Sequence, residues 1–127
     1  MNSQTDKPSD DELRLRKFQR ELSVGTVALA LLAVVARSGE PMYGYQIAKA
    51  LEQAGGVLAG KQSALYPVLR NLEASGLLES FVEPSVSGPP RRYYRATGSG
   101  RATLRDWSEA WRATRDSVDA VLKGSLK

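Results

Sequence analysis

The stretch SALYPVLRNLEASGLL, Ser63 to Leu78, decides how the chain is read. Leu65, Val68, Leu69 and Leu72 recur at i, i+3, i+4 and i+7, the spacing of a helix with one buried side. Proline inside a helix lacks an N–H, clashes with the carbonyl four residues back and costs about 3 kcal/mol. Pro67 therefore belongs near the helix start. With Ser63 as N-cap it falls at the fourth position, where one first-turn bond is lost and the opposing carbonyl is not yet helical. Away from the leucines lie Ser63, Tyr66 and Arg70, with Lys61 and Gln62 at the mouth of the helix. Serine and tyrosine donate to phosphate or base edges, arginine forks onto guanine or phosphate, and a helix N-terminus favours an anion. Taken singly, each residue also fits an ordinary solvated edge, with the Tyr66 ring half buried.

Working outward, the preceding segment from about Tyr43 to Ala54 is a second amphipathic helix, with Ile47, Ala50, Leu51 and Ala54 inward and Gly55-Gly56 as its stop. Before it comes VGTVALALLAVVA, Val24 to Ala36. Thirteen apolar residues are too few for a membrane span, which needs about 20. The long mixed-charge segment ahead of it, DDELRLRKFQRE, is not the short basic flank of a signal peptide. The expectation is a cytoplasmic protein with no membrane association and a fully buried helix at 24–37. Residues 1–9 are expected to be disordered. Residues 10–22 form a charged helical extension whose Leu13, Phe18 and Leu22 offer a narrow stripe to solvent or to a partner subunit.

After Gly76 the period changes from 3.6 to 2. LLESFVE (77–83) and RRYYRA (91–96) are strands, and PSVSGPP between them is a turn-rich loop, so the pair makes a β-hairpin. Thr97 can cap a last helix running to about Lys123. On it Leu104, Trp107, Trp111, Thr114, Val118 and Val121 are spaced 3, 4, 3, 4, 3, an a/d seam. A seam shared between two subunits is preferred over packing on the chain's own domain, because no further element follows to cover it.

Composition bounds the chemistry. The chain has 127 residues and no cysteine or histidine. Disulfides, thiol nucleophiles, imidazole bases and thiolate or imidazole metal ligands are therefore absent; carboxylate-only hydrolysis and oxygen-only metal binding stay open but no paired-carboxylate spacing supports them, and neither an enzyme, a metal site nor a cofactor is expected. The net charge of +4 is uneven: residues 61–96 carry five basic and three acidic side chains, and residues 97–127 carry six and four. SGPPRRYYRA, Ser87 to Ala96, holds three arginines and no acid. A basic run with aromatics points to a polyanion partner. Arg91 and Arg92 follow the loop tip. Arg95 could equally pair with Glu79 or Glu83, and Tyr93 and Tyr94 point to opposite faces.

Helix, helix, helix, hairpin, long helix is the layout of a winged helix-turn-helix, in which the third helix enters the DNA major groove. The fold class is α+β, mostly α: a DNA-binding domain at 23–96, a C-terminal dimerisation helix at 97–127 and the N-terminal helical extension. PMYGYQIAKAL (41–51), SALYPVLRNLEASGLLES (63–80) and GPPRRYYRATGSGRATL (88–104), in this order, resemble the PadR family of bacterial transcriptional regulators. The resemblance covers roughly residues 24–105 and matches the short type, with one helix after the wing. It implies a homodimeric repressor that binds a palindromic double-stranded operator and is released by a small molecule. It also implies that Tyr43, Ser63 and Tyr66 sit at the DNA interface and that Gly44 gives close packing or a tight helix start. Trp107 and Trp111, one turn apart, would flank a planar aromatic effector or simply fill the subunit interface. The rival from another class is a winged-helix protein-interaction module without DNA binding.

Overall fold

Helix α1 runs unbroken from Asp10 to Arg37 in the computed structural model, which describes residues 6–60 and 62–126. The extension read at 10–22 and the core helix read from Ser23 are thus one rod, about 42 Å long at 1.5 Å per residue. The expected disorder at 1–9 falls on residues 1–5, outside those described, and on the short stretch that leads to the cap. Ser9 accepts from the Glu12 N–H at 3.1 Å and donates its own N–H to the Glu12 carboxylate at 2.9 Å, a capping box. The Ser9 hydrogen bonds, led by that of its backbone N–H, hold the Glu12 carboxyl below the usual carboxylate range.

The apolar half of α1 is not buried on every side. Val27, Leu31, Leu32, Val34, Val35 and Ala36 are buried, whereas Val24 is 77% exposed. One small domain covers one side of a helix and leaves the other bare. By length and composition α1 also passes for a membrane span, yet its second half supplies the centre of the domain core.

Around Leu31, Leu32 and Val35 pack Ile47 and Leu51 of α2 (Gly44–Ala54) and Leu65, Leu69 and Leu72 of α4 (Leu65–Ala74). Each fully buried leucine or isoleucine contributes roughly 1.5–3 kcal/mol relative to an exposed one. Ala54, expected inward, is exposed at the last residue of α2, one turn past Leu51. Gly55, at φ 72°, ends that helix in a conformation that costs other residues strain. A single helical turn, α3 (Gly56–Ala59), and a 3-10 turn at Gln62–Ala64 then lead into α4. Ser63 therefore lies inside the 3-10 turn, and Ala64, not Ser63, is the N-cap. Pro67 becomes the third residue of α4, still within the turn whose N–H groups have no intrahelical acceptor.

A Schellman motif closes α4. The Leu77 N–H reaches the Leu72 carbonyl at 2.9 Å, and the N–H of Gly76, at φ 79°, reaches that of Glu73 at 2.9 Å. The chain then enters β2 (Leu78–Glu83), which pairs antiparallel with β3 (Arg91–Ala96), Ser80 opposite Tyr94 and Val82 opposite Arg92. A strand the sequence pattern did not reveal, β1 (Met42–Tyr43), pairs with the other edge of β3, giving the order β1-β3-β2. The sheet thus has one face toward the helices, with Tyr94 buried, and an outer face carrying Tyr43, Tyr93 and Phe81.

Thr97 caps α5 (Gly98–Lys123) by accepting from the Gly100 N–H at 2.9 Å, and its hydroxyl donates to the Gly76 carbonyl at 2.7 Å. Arg101 donates to the Ala36 carbonyl at the end of α1 at 2.8 Å, fixing α5 against α1. The 3,4 seam on α5 divides. Leu104 and Trp107 pack against the chain's own core, while Trp111 is 41% and Val121 72% exposed.

Candidate nucleic-acid interface

The outward side of α4 and the tip-proximal end of the wing meet in a cleft of about 570 Å³. Tyr66 and Arg70 line it from α4, Arg91 and Arg92 from β3, and Tyr43 from β1, where it caps α2. Cross-strand alternation sends the two arginines to different faces. Arg91 lies over the Tyr43 ring, 4.5 Å from its centroid, a cation–π contact. Arg92 turns to the helix side and donates to the Ser80 hydroxyl at 3.0 Å, which itself donates to the Glu73 carboxylate at 2.6 Å. The cleft lining thus carries three arginines and one carboxylate. The floor is Tyr94, whose phenol is pushed above its ordinary range by burial and by the Glu73 carboxylate, against Arg92 and Arg70.

Arg95 is elsewhere. It sits on the outer face, paired with Glu79 at 2.6 Å, with its guanidinium 5.4 Å from the Phe81 ring centroid. Both partners are more than half exposed, so the pair contributes little to stability. Beneath Arg91, Tyr43 stacks at 6.3 Å on Tyr45 and meets Tyr93 edge-on at 5.4 Å, and Tyr93 stacks on Phe81 at 5.8 Å. This ladder stiffens the base of the wing.

Gly44 explains why Tyr66 stands where it does. An added Cβ there would overlap the Tyr66 hydroxyl and lie 2.9 Å from its ring carbon Cζ. The bare α2 start is the seat of the Tyr66 phenol. Since Tyr66 is 52% exposed, its ring can swing away without opening the core. Gly44→Ala is therefore expected to leave the melting temperature within a few degrees of wild type. The same variant is expected to displace Tyr66 and, on a DNA-binding role for the cleft, to weaken duplex binding about ten-fold, roughly 1.4 kcal/mol. Calorimetry and fluorescence anisotropy on one preparation check both halves.

Of the residues singled out by sequence, Tyr43, Tyr66, Arg70, Arg91 and Arg92 converge on the cleft. Ser63 is exposed in the 3-10 turn, outside the cleft lining. Lys61 and the side chain of Gln62 lie outside the described residues. Tyr45, Glu73 and Ser80 were not anticipated. The signal for Ser80 was available: it is a polar residue on the strand face shared with Leu78, which is buried. Trp107 and Trp111 line an apolar cleft of about 360 Å³ between α5 and α1, and Trp111 also walls a second of about 480 Å³.

Comparison with known proteins supports the fold and shows the family. The family described as transcriptional regulator PadR-like matches residues 31–106, leaving the first part of α1 outside. A transcriptional regulator of Mycobacterium tuberculosis is 48% identical over 60 residues, 47% of this chain and 52% of that protein. The crystal structure of a PadR family transcriptional regulator from Eggerthella lenta is 33% identical, with a TM-score of 0.69 over 85% of this chain and 91% of that one. A PadR-like transcriptional regulator from Bacillus cereus is 26% identical, with a TM-score of 0.63 over 77% and 92%. Most of the domain and the cleft lie within the matched segment, and the chain belongs to the PadR-like family of transcriptional regulators.

Proposed function

We propose that this regulator is a cytoplasmic, homodimeric repressor that inserts α4 of each subunit into successive major grooves of a palindromic operator. The observation that carries the reading is the convergence of Arg70, Arg91 and Arg92 on one aromatic-walled cleft between α4 and the wing. Arg70 and Tyr66 have the donors to read base edges, with Ser63 at the helix entrance and the α4 N-terminus favouring a phosphate. Arg91 and Arg92 grip the flanking backbone. Two copies joined through α5, with α1 beside it, hold their α4 helices about one DNA turn apart, roughly 34 Å. A planar aromatic effector taken up beside Trp107 and Trp111 releases the operator. Tryptophan fluorescence measured together with operator affinity tests that step.

Selection of bound sequences from random duplexes tests the main reading. An inverted repeat with half-sites one turn apart is expected. Binding to no duplex of any sequence in dilute buffer refutes the reading and favours a protein-interaction module. Replacing Arg91 and Arg92 together by alanine is expected to weaken binding and flatten the dependence of log affinity on log salt by up to about two units. An unchanged slope removes the wing from the DNA contact.

A further inference from the structure

We propose that Glu73 and Ser80 are positioning residues for Arg92, a relay that locks the wing arginine to the reader helix and holds its fork open toward the duplex. The proposal rests on the DNA-binding reading above.

Proton bookkeeping fixes the direction of the relay. A guanidinium can only donate, so Arg92 Nη1 spends one N–H on a lone pair of the Ser80 hydroxyl at 3.0 Å. The single Ser80 proton then goes to Glu73 Oε2 at 2.6 Å, the short distance expected for a charge-assisted bond. Arg92 keeps its remaining donors, and the cleft is where they lie.

Glu73 has no helical reason to be acidic. It is the second-last residue of α4, where the macrodipole disfavours negative charge. Ser80 likewise has no packing reason to be polar on the inward face of β2, next to the buried Leu78 and opposite the buried Tyr94. Each residue is unfavourable by local rules and is satisfied by the other. Local rules broken in this way mark function more often than stability. The hydroxyl also acts as a spacer. In direct contact, Glu73 would draw the Arg92 fork onto itself; through Ser80 it aligns the arginine at one nitrogen.

The relay predicts an ordered Arg92 side chain in the free protein. Nitrogen-15 relaxation at Arg92 Nε is expected to show restricted motion in wild type, free motion in Ser80→Ala and restored order in Ser80→Thr, which keeps the hydroxyl. Affinity is read on two probes, the duplex selected by wild type from a random pool and poly(dI-dC). Because Arg92 grips the backbone, Ser80→Ala is expected to lose affinity by a similar factor, about ten-fold, on both duplexes, with Ser80→Thr near wild type on both. Glu73→Ala serves as a second variant because it removes the acceptor and an unfavourable helix-end charge together. It is expected to free Arg92 without lowering the melting temperature. Arg92 equally mobile in wild type and Ser80→Ala overturns the proposal. So does a loss on the two duplexes that Ser80→Thr does not rescue, the pattern of a merely structural contact. A wild-type protein that ignores both duplexes sinks the DNA-binding reading instead, and the relaxation data then judge the relay alone.

Discussion

Gly100→Ala is expected to lower the unfolding free energy by about 3 kcal/mol or more, the upper range for overpacking a buried site. A Cβ at this position would overlap the Leu77 carbonyl oxygen and lie 2.9 Å from its carbon and 3.3 Å from its Cα. These are backbone atoms, so no rotamer change relieves the contact. The same carbonyl accepts the Thr97 N–H at 3.1 Å, and the neighbouring Gly76 carbonyl accepts the Thr97 hydroxyl at 2.7 Å. Lifting α5 to admit a methyl group breaks both bonds and withdraws Leu104 and Trp107 from the core they pack against. At roughly 4 °C per kcal/mol for a chain of this size, the melting temperature falls by about 12 °C. Gly98 is the matched control. It lies in the same first turn of α5, exposed, with nothing within 4 Å of an added Cβ. Gly98→Ala is expected to be neutral or to gain a few tenths of a kcal/mol from reduced chain entropy. Urea unfolding of the two variants decides the matter, and a Gly100→Ala protein within 1 kcal/mol of wild type would refute the packing argument.

That glycine shows what a single sequence makes legible. Periodicity revealed α4 and its buried leucines, because burial on one side imposes a spacing that chemistry alone would not. Alternation revealed β2 and β3, and the fold class followed from the order of elements. Contacts between distant residues were invisible to such patterns. Gly100 reads as a flaw in a helix start until Leu77 is seen against it. Strand β1 has two residues, too few for any period, and exists only because Tyr93 and Tyr94 are there to pair with it. The composition of α1 changes sharply near Ser23, which reads as a boundary. The backbone ignores it: Gly25 costs about 1 kcal/mol in a helix and does not stop one. Within the cleft, the arginines and Tyr66 were legible from their types and places on a helix or wing. Ser80 showed only as a polar residue on the β2 face that carries buried Leu78, and its pairing with Glu73 could not be read without the distance between them.

The second large effect concerns the apolar groove. α1 and α5 bound two clefts that share Leu22, Leu29 and Trp111, with Ala30 and Leu104 in one and Trp107 in the other. Val118, Val121 and Leu122 continue the exposed stripe along α5, and Leu15, Phe18 and Leu22 do so along α1. An apolar patch of this length is uncommon on a monomer. A second copy would present the same stripe in return, as a two-fold interface requires. Trp111→Glu would place an unpaired carboxylate there, and symmetry doubles the number. Each buried, unpaired charge costs about 3 kcal/mol or more, so the proposed dimer would lose about 6 kcal/mol, some four orders of magnitude in its dissociation constant. The fold itself should survive, because Trp111 lies outside the buried core of its own chain. The expected result is a folded monomer by sedimentation, with helical circular dichroism retained and operator binding reduced to that of a single half-site. Trp111→Phe keeps the apolar surface and should remain a dimer. Trp111→Glu that stays dimeric at micromolar concentration would show that the two copies meet somewhere other than this groove, and the spacing of the α4 helices would have to be rebuilt from that other contact.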